Sequence, residues 1–279
     1  MARNKLDELA RRALAGDKRS LEALAAELKD DIYGLAMRML SYPADAEDAT
    51  QDILIQIITH LSQFRGESSF RTWAWSIATR HLMSRRKGAR ESFVNFDLIE
   101  QMIRAGDNAG PDTHEDAEAA ILAEEVKIGC TGAMLVALDR DQRIAWVLSE
   151  IVGLEGAEAA RVLSISSATY RKRLERARKR LTEFIGSVCG LVNPKESCRC
   201  RRQIDVNIKV GTVNPANLLY MTHPTRKIPP PRQRLREALE LVINLIKVHR
   251  CRARAKCEHA GISCPKRKEK HVAHLCFPH

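Results

Sequence analysis

The 279-residue chain is dominated by Ala, Leu, Arg and Glu and holds only 5% aromatic residues, a balance that favours helix over sheet. No uninterrupted apolar run is long enough to span a bilayer, and Arg3, Lys5, Asp7 and Glu8 interrupt the start, so neither membrane insertion nor export is expected and a cytoplasmic location is. The net charge of +11 is uneven: residues 1–186 hold 27 Lys+Arg against 29 Asp+Glu, and residues 187–279 hold 19 against 6, so the basicity belongs to the tail.

Leu6, Leu9, Ala13 and Leu14 predict a short first helix, and Leu21, Leu24, Leu28, Ile32, Leu35, Ala36 and Met39 a longer second one. Tyr42-Pro43 breaks the pattern. Asp45 opens a third helix with the buried stripe Ala46, Ala49, Ile53, Ile57 and Leu61. After the loop Arg65 to Ser69, Ser68 or Ser69 caps a fourth helix that buries Phe70, Trp73, Ile77 and His81 and ends at Arg85-Arg86-Lys87. Residues 91–130 lose regularity, are interrupted by Gly106, Gly110 and Pro111, and read as an acidic linker with at most one poorly anchored helix. Helical pattern returns from Met134 to Ile151, pauses at Gly153, resumes from Glu155 to Leu163, turns at Ser164-Ile165-Ser166 and ends in a helix from Ser167 to about Ile185.

Residues 155–182 carry the strongest local signal, a short helix, a three-residue turn and a longer helix: a helix-turn-helix whose second helix enters the major groove. On that helix Tyr170, Leu174, Ala177 and Leu181 form a narrow apolar stripe. Arg171, Lys172, Arg173, Arg176, Arg178, Lys179 and Arg180 fill the remainder, with only Glu175 interleaved. Such a helix repels itself unless a polyanion neutralises it, which favours DNA over a plain solvated surface. Asp45, Asp48 and Asp52, with Gln51 and Gln56, make an acidic and amide face on the third helix. By itself this reads as solvated surface, and as a functional feature it suits docking of a basic partner better than metal ligation or acid–base chemistry. Trp73 and Trp75 cannot share a helix face. Trp73 goes to the buried stripe, and Trp75 sits with Arg71, Thr79 and Leu82, either stacking on single-stranded bases or buried against another helix.

Together, Asp45-Ala-Glu-Asp-Ala-Thr-Gln-Asp52, Phe64-Arg-Gly and Ser69-Phe-Arg-Thr-Trp-Ala-Trp-Ser-Ile-Ala78 resemble region 2 of the sigma-70 family, and Leu138 to Leu181 resembles its region 4. The resemblance is closest to the compact extracytoplasmic-function (ECF) group and covers about residues 15–186. It implies an all-α protein of two small helical domains, residues 1–90 and 131–187, joined by a flexible linker at 91–130 and followed by a basic Cys/His-rich extension at 188–279. It implies a factor that directs core RNA polymerase to promoters, with promoter DNA as a partner and an anti-sigma factor as a further one. Asp45, Asp48, Gln51 and Asp52 would dock on the polymerase. Arg65, Ser68, Ser69, Arg71, Trp75 and Arg80 would melt and hold the minus-ten element. Ser167, Thr169 and Arg171 would face minus-thirty-five bases, with Arg173, Arg176, Arg178 and Lys179 chiefly on phosphate and Lys172 also at this element. Tyr170 departs from the pattern, standing where a small branched residue is usual.

Seven of the eight cysteines lie from Cys189 onward. Cys189-Gly-Leu-Val-Asn-Pro194 and Cys198-Arg-Cys200 look like an extension carried by some ECF groups. Cys198 and Cys200 are too close for the usual zinc knuckle, so Cys189, Cys198 and Cys200 leave two readings open: zinc ligation, or reduced thiols in a basic, partly disordered tail. Cys251, Cys257, Cys264 and Cys276 mingle there with five histidines, beyond a Pro229-Pro230-Pro231 spacer and a candidate helix from Arg232 to Val248. A stand-alone helix-turn-helix regulator is the competing function, although it has no need of the Asp45 to Ala78 block. An enzyme built on the tail is disfavoured, because no nucleophile, base and orienting group come together in the sequence.

Overall fold

The apolar spacing translates into eleven α-helices in a computed structural model that describes residues 2–107 and 116–220. In order these are α1 (Ala2–Leu14), α2 (Lys18–Leu40), α3 (Pro43–Thr59), α4 (Phe70–Ser84), α5 (Ala89–Phe93), α6 (Phe96–Asp107), α7 (Asp116–Val136), α8 (Arg140–Trp146), α9 (Gly156–Val162), α10 (Ser167–Val188) and α11 (Ile204–Lys209). Among the described residues the only extended pairing is an isolated parallel bridge between Cys189 and Cys198. The fold class is all-α.

Helices α1 to α4 form the first bundle. Leu24, Leu28, Ile32, Leu35 and Met39 of α2 face Ala46, Ala49, Ile53 and Ile57 of α3 and Phe70, Ala74, Trp75, Ala78 and Leu82 of α4, all buried. Each large aliphatic side chain so buried contributes about 1.5–3 kcal/mol. Ser41 stops α2 in the left-handed region (φ 55°) with its N–H on Met37, and Pro43 then starts α3 at a position where no N–H is needed.

The second bundle is the helix-turn-helix. Ile144, Ala145, Val147 and Leu148 pack against Ala159, Ala160 and Val162 of α9 and Tyr170, Leu174, Ala177 and Leu181 of α10. The stretch expected as one helix from Met134 to Ile151 is broken. The buried Arg143 guanidinium donates to the carbonyls of Val136 (2.6 Å) and Leu138 (3.0 Å), satisfying the end of α7, and α8 starts anew. A π-helical turn, Val147–Ile151, follows and ends at Gly153, whose φ of +73° suits glycine.

The stretch read from sequence as a flexible linker differs most. It contains α6, most of α7 and a small core of their own. Ala119, Leu122 and Val126 of α7 bury against Ile204 of α11 and Val213, so part of the expected tail completes the linker. Gln203 donates to the Ile103 carbonyl of α6 at 3.0 Å. Gly132 permits the close approach of α7 to the end of α2, where Ser41 Oγ donates to its carbonyl at 2.9 Å and a Cβ would stand 2.8 Å from that oxygen. Gly110, Pro111, the proline spacer, the helix expected from Arg232 to Val248 and the last four cysteines lie outside the described residues.

Candidate nucleic-acid interface

On α10, Ser166 caps the helix by accepting from the Thr169 N–H at 3.1 Å, and Ser167, Thr169, Arg171 and Lys172 project from the first turns, exposed. Arg176 and Lys179 are exposed further along. Tyr170 is buried behind them and donates its hydroxyl to the Ala145 carbonyl at 3.0 Å, so this larger side chain fixes α10 against α8. Two assignments need correction. Arg173 pairs with Asp141 at 2.7 Å, and Arg178 pairs through Nε with Glu150 at 3.0 Å. The Glu150 side chain is only 6% exposed, so Arg178 chiefly compensates a buried carboxylate and is not held out for phosphate. Arg180 lies over the Phe96 ring at 5.2 Å and 3.4 Å from Asp139. The basic face therefore narrows to the N-terminal turns plus Arg176 and Lys179.

On α3, Asp45, Asp48, Gln51 and Asp52 are all exposed. Ile55 and Ile58 are exposed beside them, 58% and 37%, so the acidic face continues into an apolar one, a feature the sequence reading missed. His81 and Arg85 approach Asp52 at 3.7 Å each. Burial lowers the His81 pKa against the pull of Asp52, so Arg85 is the cation that faces this carboxylate.

The fourth helix requires the largest correction. Trp75 is 4% exposed and belongs to the core with Thr79 and Leu82, while Trp73 and Ile77 are only half-buried. Of the two readings left open for Trp75, burial against another helix is the one found, and of the expected stripe Phe70 is buried while Trp73 and Ile77 are not fully so. Trp75 packs under Arg71, whose guanidinium carbon lies 6.0 Å from the ring centre, and Arg71 is tied to Asp31 at 2.7 Å. Ser69 is the cap, accepting from the Thr72 N–H at 3.1 Å, and Asp7 of α1 accepts from the Phe70 N–H at 2.6 Å. Arg65, Ser68 and Arg80 are exposed. Trp73 forms an aromatic group with Phe64 (5.6 Å) and Phe70 (5.3 Å) at the foot of the loop. The sequence signal for it was present: Phe64 lies at the near edge of the loop and Trp73 one turn past Phe70.

The two bundles touch. Thr72 Oγ1 of α4 donates to Glu158 of α9 at 2.7 Å. Glu91 of α5 accepts from Arg140 Nε at 2.7 Å and pairs with Arg143 at 3.1 Å, and Arg143 also donates to the Met39 carbonyl of α2. Burial would raise the Glu91 pKa, but the hydrogen bond from Arg140 and the two guanidinium charges outweigh it and hold the carboxyl below its usual range. None of the described helices is long and apolar enough to cross a membrane.

Residues 24–91 match the family model for sigma-70 region 2, and residues 128–181 match that for sigma-70 region 4. The RNA polymerase sigma-H factor of Pseudomonas aeruginosa is 32% identical over 182 residues, which cover 64% of this chain and 92% of that one. The chain belongs to the sigma-70 family of RNA polymerase sigma factors. The ECF RNA polymerase sigma factor SigC of Mycobacterium tuberculosis is 30% identical over 176 residues, 62% of this chain and 87% of the relative. A solved structure of CnrH in complex with the cytosolic domain of CnrY aligns with a TM-score of 0.47 and 23% identity, over 66% of this chain and 98% of that one. This sigma factor is of the ECF type and serves promoter-directed initiation of transcription. The stand-alone regulator is set aside, because region 2 is present together with the helix-turn-helix.

Proposed function

We propose that this sigma factor docks on core RNA polymerase through Asp45, Asp48, Gln51 and Asp52 of α3, with Ile55 and Ile58 supplying apolar contact. An acidic rim beside exposed apolar area suits a basic partner helix, the charges setting orientation and encounter rate and the apolar part giving affinity. Ser167, Thr169, Arg171 and Lys172 read the minus-thirty-five duplex, with Arg176 and Lys179 on phosphate. Arg65, Ser68 and Arg80 hold the opened minus-ten strand, and Trp73 with Phe64 offers the stacking surface first assigned to Trp75. The protein acts in the cytoplasm, has no enzymatic activity of its own, and is held in check by an anti-sigma factor.

The observation that carries this reading is the exposure, in one chain, of an acidic face on α3 and a basic face on the first turns of α10. Reconstituted transcription tests it. Free protein is expected to bind promoter duplex poorly, and promoter-specific transcripts to appear only when core polymerase is added. Tight, specific duplex binding by the protein alone would count against the division of labour.

A further inference from the structure

Four cysteines fall among the described residues, none in a disulfide, and they gather in one place. Cys130 lies one turn beyond Val126 and two beyond Leu122 on α7, so the three share a helix face. Cys200 packs against the same face beside Ile204. Cys189 ends α10, the parallel bridge places it beside Cys198, and Gly190 N–H donates to the Cys198 carbonyl at 3.1 Å. Three separate stretches of chain thus bring thiols into one neighbourhood between the linker helix and the extension. Burial first, then the neighbouring cysteines, push the Cys198 thiol up to about 12 and the Cys200 thiol up to about 11, and Cys130 is raised by the same causes. A cluster of this kind is inert as free thiols and repels itself as thiolates. A bound cation reverses that balance.

We propose that Cys130, Cys189, Cys198 and Cys200 form a four-sulfur site for a divalent cation of the zinc class, which pins the extension to α7. Soft thiolates select such an ion over magnesium or calcium, and a closed set of four sulfurs leaves no open position, so the role is structural. As the side chains stand, no group of three or more His, Cys, Asp or Glu among the described residues is arranged to hold an ion. Closing the set therefore requires the side chains to turn. Each thiol then gives its proton to solvent and its sulfur lone pair to the ion. The ion would brace a strap that already grips the linker and the first bundle: Gln203 holds α6, and Tyr220 donates its hydroxyl to the Ser41 carbonyl at 3.2 Å at the end of α2.

The test uses the reduced full chain, loaded with zinc, or with cobalt(II) as a spectroscopic substitute, and followed by alkylation and mass spectrometry. One tightly held ion per chain is expected, with sulfur-to-cobalt charge-transfer and tetrahedral bands. Zinc should slow alkylation of Cys130, Cys189, Cys198 and Cys200 by about ten-fold or more and leave Cys251, Cys257, Cys264 and Cys276 unprotected. Cys130→Ser should weaken zinc binding by about ten-fold or more, whereas serine at all four of the later positions should not. Equal alkylation of Cys130 with and without zinc overturns the proposal, as does metal that follows the later cysteines or a Cys189–Cys198 disulfide with no ion. Protection is read on the unmutated chain, so a folding defect in Cys130→Ser does not obscure the result. Transcription with core polymerase is scored separately, so failure here leaves the sigma-factor assignment intact.

Discussion

Thr72 and Glu158 are joined by a 2.7 Å hydrogen bond, hydroxyl to carboxylate, from the helix that follows the Arg65 to Ser69 loop to the first helix of the helix-turn-helix. The two DNA-reading regions are thereby held against each other in the free protein. Glu158→Ala removes the acceptor and should favour separation by at least about 1 kcal/mol, since net values for bonds to a charged group start at about 1.5 kcal/mol and this one is only part-buried. Fluorescence anisotropy with a promoter duplex should then show roughly five-fold tighter binding by the free chain. Unchanged binding would mean that the contact does not limit access to DNA.

Charge reversal on α3 separates docking from folding. Asp48 and Asp52 are exposed, and the pair lost with Arg85 is a surface one, so Asp48→Arg with Asp52→Arg should cost no more than about 1 kcal/mol of stability. Binding to core polymerase in a pull-down should be lost, because two cations would then meet a basic surface. Retained binding with an intact fold would remove this face from the mechanism.

Arg176 and Arg178 are neighbours on α10 with different expected roles. Arg176→Ala should leave the melting temperature unchanged and reduce the salt dependence of holoenzyme–promoter binding by about 0.9 in slope, one phosphate contact. Arg178→Ala strands Glu150, whose side chain is 6% exposed, and should cost about 3 kcal/mol in denaturant unfolding. The reverse pattern would show that the ion pair opens when DNA binds.

Trp75→Ala should destabilise the chain by about 3–5 kcal/mol, as expected for an aromatic removed from a core. Arg171→Ala should leave stability alone and weaken duplex recognition by about 1–3 kcal/mol if the guanidinium makes a bidentate base contact. A stable Trp75→Ala protein rescued by a pre-melted promoter bubble would restore the stacking role first assigned to that ring.

Glu91 makes stability depend on acid. Its folded pKa lies below the ordinary 4.5, so its contribution is fully present above pH 4.5 and is lost as pH falls through the lower folded value. Thermal unfolding of Glu91→Gln, compared with the unmodified chain between neutral pH and about pH 3, should show a lower plateau and a flatter acid limb. Parallel curves would assign the acid sensitivity to other carboxylates.

The helix-turn-helix and the α3 face were legible because both rest on local spacing. Asp45, Asp48 and Asp52 share a face by the period of the helix alone, and the Tyr170, Leu174, Ala177 and Leu181 stripe leaves the basic residues nowhere to go but outward. Spacing was silent on which basic residues find an acid elsewhere. Asp141 and Glu150, which claim Arg173 and Arg178, come from other elements and meet α10 only after it folds back on them.

Trp73 and Trp75 mark the same boundary within a single helix. A helix packed on two sides has no one apolar stripe to read, and α4 touches α1, α2, α3 and α9. Its buried side includes small and polar residues such as Thr72, Ala74 and Thr79, and these carry too little hydrophobic signal to reveal the correct face. Cys130 was invisible for a related reason: a single cysteine within a helix means nothing until the extension returns to place Cys189, Cys198 and Cys200 beside it. Local spacing along the chain sets most of the helices, the two sigma regions and the chemistry each face offers, because these depend on residues a few positions apart. Which charges are already neutralised, which tryptophan is core and which thiols come near one another emerge on folding, because those outcomes depend on burial against segments distant in the chain.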